Sequence, residues 1–141
     1  MKKILSLTLV CVLLLGTLFA LTSCSAAPNA DPDKAVAALK EAGYIATKGS
    51  KIFDMFSVES AESVVAGIKY DKDSDEGGWI VAIYYKDADT ANEHWDAIVK
   101  LYEKVQQFCS ITVDFKESDL VINKSGVMIY FGTKNAVKAA K

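Results

Sequence analysis

The chain has 141 residues, 51% of them hydrophobic, with 16 lysines, no arginine and 18 acids, a formal net charge of −2. That balance argues against nucleic-acid binding, where arginine forks read bases and a basic face is required. It also leaves no bidentate arginine clamp for a carboxylate or phosphate.

Met1, Lys2 and Lys3 form a basic start, followed by an apolar run from Ile4 to Leu21. This is the pattern of a secretory signal, set aside before fold reasoning. The alternative is an uncleaved transmembrane anchor, since roughly 20 apolar residues span a bilayer. Gly16 and several Ser and Thr residues interrupt the run, and no basic cluster follows it. Leu21-Thr22-Ser23-Cys24 resembles the lipobox of bacterial lipoproteins: an aliphatic residue, two small residues, then cysteine. The resemblance covers the first 24 residues. It implies a diacylglycerol on the Cys24 sulfur, cleavage before Cys24, and a cell-membrane location on the extracytoplasmic face. Further acylation, by palmitate for example, fits the need for two or more chains in stable anchoring.

Of three cysteines, Cys11 would leave with the signal, Cys24 would be acylated, and Cys109 would remain alone. No intramolecular disulfide is then expected. Cys109 lies in an apolar neighbourhood, where a free cysteine is usually a small buried hydrophobe. Removing residues 1–23 from the 141 leaves 118, enough for one domain with its own core. Two lysines leave with the signal, so the mature chain holds 14 against 18 acids, formally −4.

Residues 24–30 read as a lipidated polar tether, and 31–141 as a single domain. Asp31 as N-cap and Pro32 in the first turn start a helix that Gly43 ends, with Ala35, Val36, Leu39 and Ala42 as its apolar stripe. A strand over 44–48 follows, and Ile52, Phe53 and Phe56 are spaced for a short helix within 49–63. Alternation predicts strands over 64–70 and 79–86, joined by the loop 71–78. Asp87 caps a long helix over 88–108, with Ala91, Trp95, Ile98, Tyr102 and Val105 on one buried stripe. Strands over 110–116, 119–123 and 127–131 follow, the last two joined by a turn at Gly126, and Thr133 caps a final short helix.

This order reads as α+β: a two-layer domain with a largely antiparallel sheet and helices on one face. The segment from Asp31 to Ala35 aligns with that from Asp87 to Ala91, which suggests a duplicated αβββ unit; two good helix starts explain the match equally. The mature domain is similar to small lipoproteins of Firmicutes at "YYKDADTANEHW" and "YFGTKNAVKAA", a group that brings no activity with it.

His94 is the only histidine, too few for a zinc site of the usual type and without a nucleophile–base motif. It reads as a helix-flank residue covering apolar surface. Asp71, Asp73 and Asp75 resemble the start of a calcium loop, but Glu76 occupies the glycine position and Ala82 the closing acid, so the expected role is a solvated acidic loop. With one sheet face left open, Tyr70, Tyr84, Tyr85 and Lys86, near Lys69, would form a binding surface for an envelope protein or small ligand. No catalytic residue, metal or cofactor is expected. The reading is a membrane-anchored binding module that does not catalyse. Its alternatives are a structural subunit docking on an envelope complex and a cell-surface enzyme without a known motif.

Overall fold

The computed structural model describes residues 27–49, 60–70, 77–112 and 120–141, the side chains of 108–112 excepted. Helix α1 (Pro32–Glu41) starts where the Asp31 carboxylate accepts from the Asp33 N–H at 2.9 Å and the Lys34 N–H at 3.4 Å. These are donors that helix geometry leaves unpaired. The helix ends in a Schellman arrangement with Gly43 at φ +88°. There the Gly43 N–H donates to the Lys40 carbonyl at 3.0 Å and the Tyr44 N–H to the Leu39 carbonyl at 2.9 Å. Glycine takes that backbone without a Cβ penalty.

Strands β1 (Ile45–Lys48), β2 (Ala61–Lys69) and β3 (Gly78–Tyr85) come next, then helix α2 (Ala88–Thr112). Strands β4 (Leu120–Ser125) and β5 (Met128–Thr133) and the short helix α3 (Lys134–Ala139) complete the order. The five strands form one sheet in the order β1-β2-β3-β5-β4, every neighbouring pair antiparallel. The α+β class and the antiparallel sheet are as the sequence implies.

The expectation of helices on one face needs correction. Every residue of β3 is buried, and its side chains divide between two separate cores. Ile80, Ala82 and Tyr84 pack with Leu39 of α1 and Val137 of α3. Trp79, Val81, Ile83 and Tyr85 pack with Ala91 and Ile98 of α2, flanked by Trp95, Tyr102 and Val105. The physical reason is the unbroken apolar run from Trp79 to Tyr85, which has no polar face to give to water.

Two other expectations fall. Residues 110–112 end α2 rather than starting a strand, and the remainder of the expected strand, 113–116, lies outside the described residues. The αβββ duplication does not hold among the described residues. After α2 come two strands and then a helix, and α1 and α2 lie on opposite faces. The expected short helix falls mostly on 50–59, outside the described residues, while Ala61 to Ser63 belong to β2. Thr133 does stand before α3, but its hydroxyl makes no cap bond. It accepts from the Trp79 N–H at 3.2 Å and donates to the Trp79 carbonyl at 3.4 Å, pinning β5 to the start of β3. Beside it Gly132, at φ +151°, lies so close to β3 that a Cβ would come within 2.2 Å of the Trp79 carbonyl oxygen.

Asp87 anchors α2 through bonds of 2.7 Å from both the Thr90 N–H and the Thr90 hydroxyl. The Thr90 hydroxyl, then the Thr90 N–H, hold the Asp87 carboxyl below its ordinary range. A carboxyl lowered in the folded state contributes stability above its unfolded pKa and loses it as pH falls through the folded pKa. Acid titration of stability should therefore show a component that Asp87→Asn removes; identical acid profiles would refute the cap. In the two cores, Leu39→Ala and Ile98→Ala should each cost about 2–5 kcal/mol in denaturant melts, one from each side of the sheet. A near-neutral result at either position would mean that its face is not packed as described.

Candidate functional site

The four residues expected to share a binding surface are dispersed. Tyr84 is 4% exposed and Tyr85 is 2%, and they point into opposite cores. Lys86 is exposed just past β3, whereas Tyr70 is 73% exposed beyond β2. Lys69 pairs with Gly78 and Ser63 with Tyr84, so Tyr70 and Lys86 stand at opposite ends of the sheet. At about 3.3 Å per residue, Lys86 lies more than about 25 Å along the strand direction from Gly78, the partner of Lys69, and Tyr70 is one residue further out. The open face that would have gathered them does not exist over β3, because α2 covers one side and α1 with α3 the other.

The two tyrosines differ in how their hydroxyls are treated. The Tyr84 hydroxyl donates to the Asn29 carbonyl at 2.7 Å. Burial, with the Asp31 carboxylate adding to it, pushes this phenol well above its ordinary range. The Tyr85 hydroxyl is buried with no partner, and burial pushes its pKa up to about 12. Its ring stacks on His94 with centroids 5.2 Å apart and planes at 26°. His94 Nδ1 lies 2.8 Å from the Thr90 carbonyl, which only accepts, so Nδ1 carries the hydrogen. The histidine is thus a half-buried cover on the Tyr85 ring, held by its own helix.

Asp71, Asp73 and Asp75 lie outside the described residues, as do Cys24 and the side chain of Cys109. Among the described residues, no three His, Cys, Asp or Glu side chains gather where they would hold a metal ion. Nor is any helix there long and apolar enough to cross a membrane.

Two features escaped the sequence reading. Residues 27–29, expected to belong to the polar tether, are docked on the domain. Pro28 is buried, Ala27 packs against the α1–α3 core, and the Asn29 N–H donates to the Ala140 carbonyl at 2.7 Å. The Asn29 side chain also accepts from the Asp31 N–H at 3.0 Å, an Asx turn leading into α1. The signal was present: Pro28 and Asn29 favour a fixed turn over a floppy linker.

The second is an uncovered corner of the sheet. A Cβ on Gly67 would meet Leu39 at 3.1 Å, so Gly67 faces α1, and its neighbour Ile68 faces the other way. Ile68 pairs with Ile45 on the edge strand β1. On that side α2 lies over β3, β5 and β4, leaving Ile45 80% and Ile68 55% exposed. Alternation in 44–48 carries this signal, since Tyr44 and Ala46 turn inward and Ile45 must then turn outward.

Comparison of the chain with protein-family models, with curated proteins and with solved structures found no match.

The contrast between the tyrosines is testable by removing each hydroxyl. Tyr84→Phe should cost about 1 kcal/mol, because it strands the Asn29 carbonyl. Tyr85→Phe should be neutral or slightly stabilising, within about 0.5 kcal/mol, since its hydroxyl has no bond to lose. Equal losses in urea melts would show that the N-terminal segment is not held by Tyr84.

Proposed function

We propose that this chain is a lipid-anchored extracytoplasmic lipoprotein whose domain acts by binding rather than by catalysis. The observation that carries the reading is how closely the lipobox-like Leu21-Thr22-Ser23-Cys24 precedes docked chain. Only Ser25 and Ala26 separate Cys24 from Ala27, which packs on the core. Three extended peptide steps reach about 10 Å, so an acylated Cys24 would keep the domain against the bilayer surface rather than on a long leash.

The docked segment lies by Tyr84 and Ala140, at the end of the sheet where Tyr84 pairs with Ser63 and Met128. That end would face the lipid. The opposite end, with Ile45, Ile68 and Tyr70, would face outward. The binding reading also draws on the chemistry available in the described residues. The single histidine is spent on Tyr85 and Thr90, and no cluster of metal-ligating side chains accompanies it. A subunit role in an envelope complex is a form of the same reading, in which the outward end meets a protein.

The test is Cys24→Ala in the native membrane. Metabolic labelling with a fatty-acid analogue should mark the wild-type chain and leave the variant unmarked and unprocessed. Equal labelling of both chains would refute the anchor, and turnover of an envelope substrate by the purified protein would refute the non-catalytic role.

A further inference from the structure

The uncovered corner lies beside β1, which among the described residues is an edge of the sheet, and the register states which backbone groups face out. The Gly49 N–H donates to the Val64 carbonyl at 3.2 Å. In an antiparallel ladder hydrogen-bonded pairs alternate with non-bonded ones. Counting from Gly49 and Val64, the bonded pairs are Thr47 with Ala66 and Ile45 with Ile68, and Ala46 and Lys48 fall between them. The N–H and C=O groups of Ala46 and Lys48 therefore point away from β2, along the outer edge of the sheet. On one side of this edge α1 is close, with Asp33 paired to the Lys48 ammonium. On the other side Ile45 and Ile68 lie bare.

We propose that the outer edge of β1, with Ile45 and Ile68 beside it, receives an extended polypeptide segment that adds to the sheet as a further strand. The outward groups of Ala46 and Lys48 supply main-chain bonds to the incoming segment. Ile45 and Ile68 supply apolar contact to alternate side chains on the face that α2 leaves uncovered. This is recognition by strand addition, in which the backbone gives affinity and alternating pockets give selectivity. A short apolar segment flanked by polar residues is the chemistry that fits.

Size selects this occupant over a second copy. Ile45, Ile68 and Tyr70 together offer on the order of a few hundred Å² of surface, whereas a stable interface needs about 800 Å² from each partner. Position selects it over lipid. The docked residues 27–29 lie at the far end of the sheet, so in an anchored chain this corner faces away from the bilayer. That point deepens the reading as an anchored binding module and rests on it, but the edge geometry does not depend on Cys24.

The experiment uses the purified full chain in detergent micelles. The probe is a fluorescein-labelled short peptide of alternating threonine and valine with lysine at each end. Anisotropy should rise saturably, with a Kd in the range of about 10 μM to 1 mM. Amide exchange should slow at Ala46 and Lys48. Ile45→Lys should weaken binding by roughly tenfold or more. Lys48→Pro removes an outward N–H that β2 does not use, and it should reduce binding to a similar extent. Both variants are to be compared at unchanged unfolding midpoints, and since both positions lie on the surface the fold should survive. No saturable rise, or affinity equal to wild type in both variants, would overturn the proposal. So would a dimer in sedimentation that Ile45→Lys abolishes, which would assign the edge to a second copy. Vesicle binding by the unacylated Cys24→Ala chain that Ile45→Lys abolishes would assign it to lipid and equally overturn the proposal. Failure of fatty-acid labelling at Cys24 would remove the anchor while leaving the peptide result standing, so the two failures are separable.

Discussion

The burial of β3 on both faces is the constraint from which the other features follow. A strand reading Trp-Ile-Val-Ala-Ile-Tyr-Tyr cannot lie on a half-solvated sheet without exposing several large side chains. The chain meets this demand with two layers of different make. One long helix, α2, covers Trp79, Val81, Ile83 and Tyr85, and its Tyr102 meets Phe131 edge-on at 5.8 Å. Two shorter helices, α1 and α3, share the other side over Ile80, Ala82 and Tyr84. Thr133 and Gly132 then fasten β5 against the start of β3, where no bulkier residue than glycine fits.

From this arrangement comes the fate of the N-terminal segment. Once Tyr84 is enclosed between α1 and α3, its hydroxyl needs an acceptor, because an unpaired polar atom in such a site is costly. The Asn29 carbonyl supplies it, and the Ala140 carbonyl holds the Asn29 N–H in turn. A core requirement of the central strand thus fixes the path of the chain just after Cys24. Tyr85, on the other side, lacks such an acceptor and has the His94 ring stacked on it instead. On the α2 side the coverage reaches Val64 of β2 and runs out at Ile68 and at Ile45 of β1. The sheet is left with one covered side and one bare side at that corner.

Most of the fold was legible in the sequence, because local signals and tertiary demands agree. The Asp31 cap, the Gly43 ending, the α2 stripe and the β4–β5 turn are each set by a few neighbouring residues. The number of layers is less legible, because the segment 79–86 fits an alternating strand while its continuous apolar run demands burial on both faces. The end of α2 is not legible locally, since Ile111 and Thr112 are β-branched and suit a strand, while the structure continues the helix through them. The expected binding surface failed for the same reason as the layer count. It relied on an open face, and closing that face buries Tyr84 and Tyr85. The exposed Ile45 and Ile68 could be read only with the register, which joins residues 23 positions apart.

In the proposed orientation an anchored chain stands with its docked N-terminal end on the bilayer and its β1–β2 corner outward. The most direct measurement is paramagnetic broadening of backbone amide signals in nanodiscs that carry a spin-labelled lipid. The account predicts strong broadening at Asn29, Ser125 and Ala140 and sharp signals at Ile45, Lys69 and Gly132. Broadening concentrated at Ile45 and Lys69 instead would place the apolar corner on the membrane and contradict it.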